Sequence, residues 1–491
     1  MSMTGGRPMA DGARGALAIV LHSHMPYVEG FGTWPFGEEW LWEAVASVYL
    51  PLLDVLRGQP ITLGLTPVLC DQLETLTGDA GERFTTFLRE IRAAIHDEDA
   101  RGLEEGGEAE LAAEVRRAAT DYTRADEAFT RMSGDLLAAF KNLSGVELWT
   151  SAATHAVLPL VATEPGRQLQ ISAGVASHER RFDTWNGGFW LPECAYEPGL
   201  ERELAELGTR CFCVDQTNAH GLGSLDQLEP VATEAGPVAV PIDWQTVELI
   251  WGPNGYPGSD AYRDYHGRTI HDLKPWNNAG GAYDHDAAIE LAKQHAQQFV
   301  DHIATRLDAY ASERGRPGLL CCALDTELIG HWWYEGPAFL REVLRLCETG
   351  DFDLQTLPQA LDGIEPVEGR ELEPSSWGRE KDLSTWDSPK VAEFAFKARK
   401  AELDTVKAAA HATTRTPALE RAARELLAVQ ASDWSFITTY ELAADYPQER
   451  VEGHLAELHT ALAALTDSRS VPEAALRNLA PQLDLSPLVA P

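Results

Sequence analysis

Two carboxylates give the first clue to chemistry. In Gly188-Phe189-Trp190-Leu191-Pro192-Glu193-Cys194-Ala195-Tyr196 an apolar run ends in Glu193. In Leu319-Leu320-Cys321-Cys322-Ala323-Leu324-Asp325 a second apolar run ends in Asp325, with His331-Trp332-Trp333-Tyr334 close behind. Buried strands that each deliver one acid to a strand end, beside flat apolar rings, suit the cleavage of a glycosidic bond. That reaction takes a pair of carboxyl groups. Pro192 excludes a helix interior at the first acid and predicts a sharp strand exit. An ordinary surface Glu after an edge strand is the competing reading. For Asp325 the alternative is a cap on the helix that follows. Glu327 lies two residues on, on the same side of an extended segment, and competes for the same role.

His22 and His24 flank Ser23 at the end of the first expected strand and also share a face. With His155 and Asp215, each near another strand end, they could hold a metal, as in a metal-dependent deacetylase. Against that, the chain has no HExxH and no close Asp–His–His cluster. Histidines that donate hydrogen bonds to sugar hydroxyls account for the same residues. Of the 14 tryptophans, Trp34, Trp40, Trp42, Trp332, Trp333, Trp377 and Trp386 fall outside the expected strands. Any single Trp is by default a packing residue. A cluster in loops is better explained by rings stacking on pyranose faces.

These residues need a scaffold. Strands are expected near Ala16–His22, Ile61–Thr66, Glu147–Ala152, Gly188–Pro192, Arg210–Val214, Val238–Ile242 and Leu319–Leu324. Several are near-continuous apolar runs, as in parallel strands buried on both faces. Strands alternating with helices, with acids and His at strand ends, favour an α/β barrel over an open sheet. Residues 79–142 are charged and helical in pattern, with a turn at Glu104-Glu105-Gly106-Gly107-Glu108, and read as an inserted helical hairpin. Residues 254–287 have loop chemistry, and such a long loop in a compact domain is often functional. Helices are expected over Lys390–Ala410, Pro417–Gln430 and Gln448–Thr466. The expected domains are a leader over 1–14, a barrel over 15–78 and 143–345, the insertion over 79–142, and a mostly helical part over 346–491.

The 491 residues carry 40 Lys and Arg against 76 Asp and Glu, so the formal charge is 40 − 76 = −36. Such a surface repels phosphate backbones and argues against nucleic acid as a partner. Ala16–Leu21 is too short and too soon interrupted for a signal core or a membrane span, so a cytoplasmic protein is expected. Seven cysteines, with Cys211 and Cys213 one residue apart and Cys321 and Cys322 adjacent, match neither a zinc spacing nor a disulfide framework.

Taken in order, these stretches resemble glycoside hydrolase family 57, and within it the 1,4-α-glucan branching enzymes. The matching pieces are Leu21-His22-Ser23-His24-Met25-Pro26-Tyr27-Val28, Trp34-Pro35-Phe36-Gly37-Glu38-Glu39-Trp40, Ala153-Thr154-His155, the stretch ending at Tyr196, and Asp325-Thr326-Glu327-Leu328 running into His331-Trp332-Trp333. Pro374-Ser375-Ser376-Trp377-Gly378 and Gln430-Ala431-Ser432-Asp433-Trp434 also resemble family segments. The resemblance implies a (β/α)7 barrel with an inserted helical domain and a helical C-terminal domain. It also implies a retaining mechanism with Glu193 as nucleophile and Asp325 as acid/base. It makes His22, His24 and His155 active-site residues, and Trp40, Trp251, Trp377 and Trp386 sugar contacts. Trp34, Asp215, His331, Asp433 and Trp434 complete the expected substrate-binding set. No metal or organic cofactor is expected, the partner is an α-1,4-glucan, and a monomer is expected.

One segment departs from the resemblance. Branching enzymes of the family usually carry a tyrosine-tipped loop after the strand bearing the equivalent of Asp215. Here Leu222–Pro230 is short and has no Tyr, and the next tyrosine is Tyr256. A less sheltered glycosyl-enzyme leaks toward hydrolysis. The helical insertion or the 254–287 loop could compensate, with Tyr256 or Tyr262 taking the lid role. An α-amylase-like hydrolase is therefore the second reading. A glucan-binding protein without turnover is the third, and the deacetylase the fourth.

Overall fold

The structure, a computed structural model, describes residues 14–28, 31–33, 36–412, 415–466 and 478–489. Most of the expected leader and Trp34 lie outside the described residues.

Nine strands are present among the described residues: β1 Gly15–Ser23, β2 Thr62–Leu65, β3 Glu147–Ser151, β4 Phe189–Trp190, β5 Cys211–Val214, β6 Val231–Ala232, β7 Val238–Pro241, β8 Gly318–Asp325 and β9 Asp353–Leu354. The parallel path β4–β3–β2–β1–β8 forms one sheet, with β9 also on β1, and β5–β7–β6 forms a second. Two links join the sheets. A parallel bridge ties Gly188 to Cys211 beside β4 and β5. The Asp243 amide, just past β7, donates to the Cys321 carbonyl on β8 over 2.9 Å. The ring β1–β2–β3–β4–β5–β7–β8 is a seven-stranded parallel barrel, distorted where single hydrogen bonds replace a ladder. Every residue of β1 is buried, as are all of β8 except Asp325. That is why both strands read as unbroken apolar runs.

The seven strands lie where the sequence pattern puts them. β6 and β9 are too short for any pattern to reveal. β9 joins the barrel sheet from within the stretch expected to be the helical C-terminal part. The hairpin over 79–142 has its long helices at Arg92–Glu105 and Ala109–Arg131. Gly107 sits between them at φ 84°, a left-handed position that suits glycine. The C-terminal helices are Ala392–His411, Pro417–Val429, Asp433–Thr439 and Tyr446–Thr466. Thr416 caps the second of these, its Oγ1 accepting from the Leu419 amide.

The helical part docks on the barrel at the exit of β3. Ala156 bridges to Ala431, and Gln170 donates to Gln430 over 3.1 Å. The Ser432 amide donates to the His155 carbonyl. The last helices thereby reach the end of the barrel where the strands deliver their acids.

Candidate active site

Glu193 leaves β4 through Leu191-Pro192 and turns sharply. It sits at φ 61°, ψ 18°, and Cys194 follows at φ 49°. Two successive left-handed residues that are not glycine are costly, and such strain collects at functional sites. His155, at the exit of β3, is also left-handed at φ 59°. The segment Ser375–Trp377 holds the Glu193 turn in place. Tyr196 and Ser375 exchange backbone hydrogen bonds of 2.9 and 3.0 Å, and the Trp377 amide donates to the Glu193 carbonyl. The Trp377 indole Nε1 then donates to Glu193 Oε2 over 2.9 Å.

Four flat rings stand beside Glu193. Trp190 stacks on His22 at 4.6 Å, His22 on His155 at 4.8 Å, and His155 on His24 at 4.1 Å. His22 Nε2 and His155 Nε2 are 2.9 Å apart, so one donates and the other accepts. His155 Nδ1 meets Ser432 Oγ at 2.8 Å and lies 3.6 Å from Glu193 Oε1. Ser432 also bonds the Glu193 carboxylate. Ser432 donates to Glu193 only if His155 carries its proton on Nδ1, which leaves His22 as the Nε2 donor. Burial, and the neighbouring imidazoles, push both His22 and His155 well below the usual histidine range. Both are neutral. His24 differs: burial pulls its pKa down, but Asp433, Glu327 and Glu193 together raise it. Its Nε2 lies 3.0 Å from Asp433 Oδ2.

Asp325 ends β8 in register with His22 on the adjacent β1. The two acids thus come from strand ends on the same rim. Burial, then Glu327 and Glu193, push the Asp325 carboxyl well above its ordinary value. Glu193 is raised to about 6 by burial, against the opposing hydrogen bonds from Trp377 and Ser432. Two carboxyls whose surroundings separate their proton affinities are the signature of an acid and a nucleophile sharing one site. Glu327 is held apart from that pair. Its Oε1 accepts from Tyr49 Oη at 2.5 Å and from the His24 amide at 3.2 Å. Burial raises it to about 7.

The other expected residues divide. Asp433 reaches the site through His24. Trp251 stands half-exposed at the end of the helix Trp244–Trp251. Trp40 is half-buried with its ring edge-on to Phe36, which meets Tyr446 of the helical part. His331 lies beside Tyr265 and Trp332. Burial, then Lys274 and Arg268, hold it down to about 3.

Three of the expected residues are buried inside the protein. Asp215 is fully buried and spent inside the protein: Oδ2 faces Lys381 Nζ at 2.9 Å and Oδ1 accepts from the Thr217 amide. It anchors the loop that carries Trp377, and its carboxylate is fully buried in an ion pair with Lys381. Trp386 is buried against Val157 and Ala195 and backs Trp377, so no ring face is open to a sugar. Trp434 is a core residue of the helical part, its Nε1 donating to the Ala428 carbonyl over 2.8 Å. Trp42 and Trp333 are also buried.

Sequence reasoning missed Trp190, Ser432, Tyr49 and Lys381. Trp190 and Ser432 lie within the stretches that carry the resemblance, but neither is singled out there as a site residue. Tyr49 and Lys381 have no local signal at all. Among the described residues no group of three or more His, Cys, Asp or Glu side chains is arranged to hold a metal ion. Asp215 faces Lys381 and not the histidines, so the four residues of the metal reading do not converge.

An acid pair on one rim of a seven-stranded barrel, closed by a helical C-terminal part, defines a carbohydrate-active barrel enzyme. The chain belongs to glycosyl hydrolase family 57, whose model matches residues 18–369. The C-terminal model of 1,4-alpha-glucan branching enzymes matches residues 396–487. A probable 1,4-alpha-glucan branching enzyme of Mycobacterium tuberculosis is 35% identical over 495 residues, covering 92% of this chain and 93% of that protein. The 1,4-alpha-glucan branching enzyme of Thermococcus kodakarensis is 31% identical over 501 residues, covering 91% and 73%. The crystal structure of a family 57-type branching enzyme from Pyrococcus horikoshii superposes with a TM-score of 0.88 at 29% identity, covering 97% of each chain. No helix among the described residues is long and apolar enough to cross a membrane.

Proposed function

We propose that this protein is a 1,4-α-glucan branching enzyme in which Glu193 is the nucleophile and Asp325 the acid/base. Glu193 attacks the anomeric carbon of an α-1,4 linkage while the protonated Asp325 gives its proton to the departing 4-oxygen. The C1–O bond breaks, and a glycosyl ester on Glu193 forms. A 6-hydroxyl of an acceptor glucan then attacks C1, its proton passes to the Asp325 carboxylate, and the ester electron pair returns to Glu193. Two displacements retain the configuration and leave an α-1,6 linkage.

The observation that carries this reading is the contrast between the two acids. Among the described residues Asp325 has no hydrogen-bond donor to stabilise its charge, and two carboxylates lie close by, which keeps a proton on it. Trp377 and Ser432 aim donors at Glu193, which favours the ion a nucleophile must be. Neutral His22 and His155 pack beside Glu193 without adding a competing charge.

The deciding experiment is incubation with amylose, counting α-1,6 linkages and new reducing ends. Linkages formed without a matching gain in reducing ends mean branching. Reducing ends alone mean hydrolysis and sink the proposal. A specific observation favours some hydrolysis: the segment after β5 lacks the tyrosine lid. The substrate in this reading is an α-1,4-glucan.

A further inference from the structure

Beyond Asp325 the chain builds a second aromatic surface that the acid chemistry does not use. Trp332 is 41% exposed, an unusual state for so large an apolar ring. It is nonetheless held firmly. Tyr265, from the long 254–287 loop, lies against it with centroids 4.8 Å apart and planes tilted by 32°. Tyr265 is pinned in turn by Lys274 Nζ at 3.9 Å and Arg268 at 5.0 Å from its ring centre. The Trp332 backbone is tied to the acid-bearing turn, its amide pointing at the Glu327 carbonyl over 3.3 Å. His331 stands edge-on to both rings and, held down to about 3, is neutral wherever the enzyme works. A braced indole with an open face and a neutral imidazole beside it offers what a pyranose ring takes: stacking for its apolar face and a hydrogen bond for a hydroxyl.

We propose that Trp332, backed by Tyr265 and flanked by His331, is a binding subsite for the acceptor glucan chain. The side of the cleft follows from the chemistry. The acid/base handles the oxygen that leaves and the hydroxyl that arrives, so the acceptor lies against the segment that carries it. Trp332 is seven residues past Asp325 on that segment, whereas Trp377 is hydrogen-bonded to the nucleophile Glu193. An acceptor held on Trp332 presents its 6-hydroxyl to Asp325. The hydroxyl oxygen forms the new bond to C1, the C1–Glu193 ester bond breaks, and the proton goes to Asp325. Water needs no such surface. Loss of the platform therefore slows transfer more than hydrolysis.

The inference rests on the branching reading, and one experiment separates the two. Wild type, Trp332→Ala, Trp332→Phe and the control Phe396→Ser are incubated with amylose, and reducing ends per α-1,6 linkage are counted. Phe396 is an exposed apolar side chain on a helix of the C-terminal part. Trp332→Ala is expected to raise the ratio about tenfold, which is about 1.4 kcal/mol between the two barriers. Trp332→Phe should stay within about threefold of wild type and Phe396→Ser should equal it. Tyr265→Leu withdraws the brace without touching the indole and is the second probe, should Trp332→Ala fold poorly; it should shift the ratio the same way. A wild type that branches while neither Trp332→Ala nor Tyr265→Leu changes the ratio overturns the acceptor subsite and leaves the branching reading intact. A wild type that forms no α-1,6 linkage overturns both.

Discussion

The indole of Trp377 donates its one hydrogen to Oε2 of Glu193 over 2.9 Å, although 184 residues separate them. The contact favours the ionised acid. Removing it in Trp377→Phe should lift Glu193 above its present value of about 6. A hydrogen bond to a charged group is worth about 1.5–3 kcal/mol, or about one to two pKa units. The acid limb of kcat/KM should move to higher pH by that amount, with the loss largest near pH 6 and smallest at pH 8. A uniform loss at all pH values would mean that Trp377 only binds sugar.

The two acids set the shape of the pH profile. Activity should rise as Glu193 loses its proton around pH 6 and fall as Asp325, held well above its ordinary value, loses its own. Asp325→Asn should abolish the alkaline limb together with nearly all turnover. The profile is measured as kcat/KM on a soluble glucan between pH 4 and 10.

Glu193→Gln should cut turnover by on the order of 10⁴-fold or more, the cost of losing a nucleophile. It should also stabilise the fold, with a definite pH dependence. The folded-state pKa of Glu193 is raised from 4.5 to about 6. Its contribution is therefore fully present below pH 4.5 and lost as pH rises through 6, a swing of about 2 kcal/mol. The variant should match the wild type in melting temperature near pH 4 and exceed it at pH 8. Equal melting temperatures at both pH values would contradict the buried, costly carboxylate.

The barrel was legible because its strands are buried on both faces, and burial of that kind writes a continuous apolar run: Leu319–Leu324 reads as a strand whatever surrounds it. The acids and histidines were legible because they interrupt such runs. The tryptophans were not. Trp377 and Trp386 look alike in sequence, nine residues apart in one loop-rich stretch. One turns its nitrogen to Glu193 and the other fills the space behind it against Val157 and Ala195. Which does which depends on partners 180 to 230 residues away. Asp215 misled for the same reason, because its cation, Lys381, comes from 166 residues downstream.

That pair yields its own test. Lys381 lies over the Trp244 ring and belongs to the turn that closes the Trp377 loop, its amide donating to the Gly378 carbonyl. Asp215→Asn strands a nearly buried cation and should cost about 3 kcal/mol in denaturant unfolding. The double variant Asp215→Asn/Lys381→Met removes the stranded charge and should recover most of that stability. Turnover should recover less, because the Trp377 loop remains untethered.

The segment after β5 decides how well the glycosyl ester is sheltered. Leu225–Leu228 is a short 3₁₀ turn with no aromatic residue, and it is fastened to a neighbouring helix. Arg306 donates to the Gly223 carbonyl over 2.7 Å, and Arg314 meets Asp226 at 2.9 Å, both from the long helix His285–Arg314. The two tyrosines that could take the lid role are both engaged. Tyr256 is stacked on His295 at 4.4 Å, and Tyr262 is fully buried with its hydroxyl 2.8 Å from His295 Nδ1. Freeing either would open the core. We expect water to reach the ester more readily than where a tyrosine lid closes over it, and each tenfold change in partition takes only about 1.4 kcal/mol. The wild type should release measurable reducing ends alongside α-1,6 linkages. Replacing Leu222–Pro230 with a longer tyrosine-bearing loop should lower reducing-end release about tenfold while linkage formation holds. A native enzyme that branches amylose with negligible hydrolysis would show that the site is sheltered from another side, with the Tyr265–Trp332 platform the first place to look.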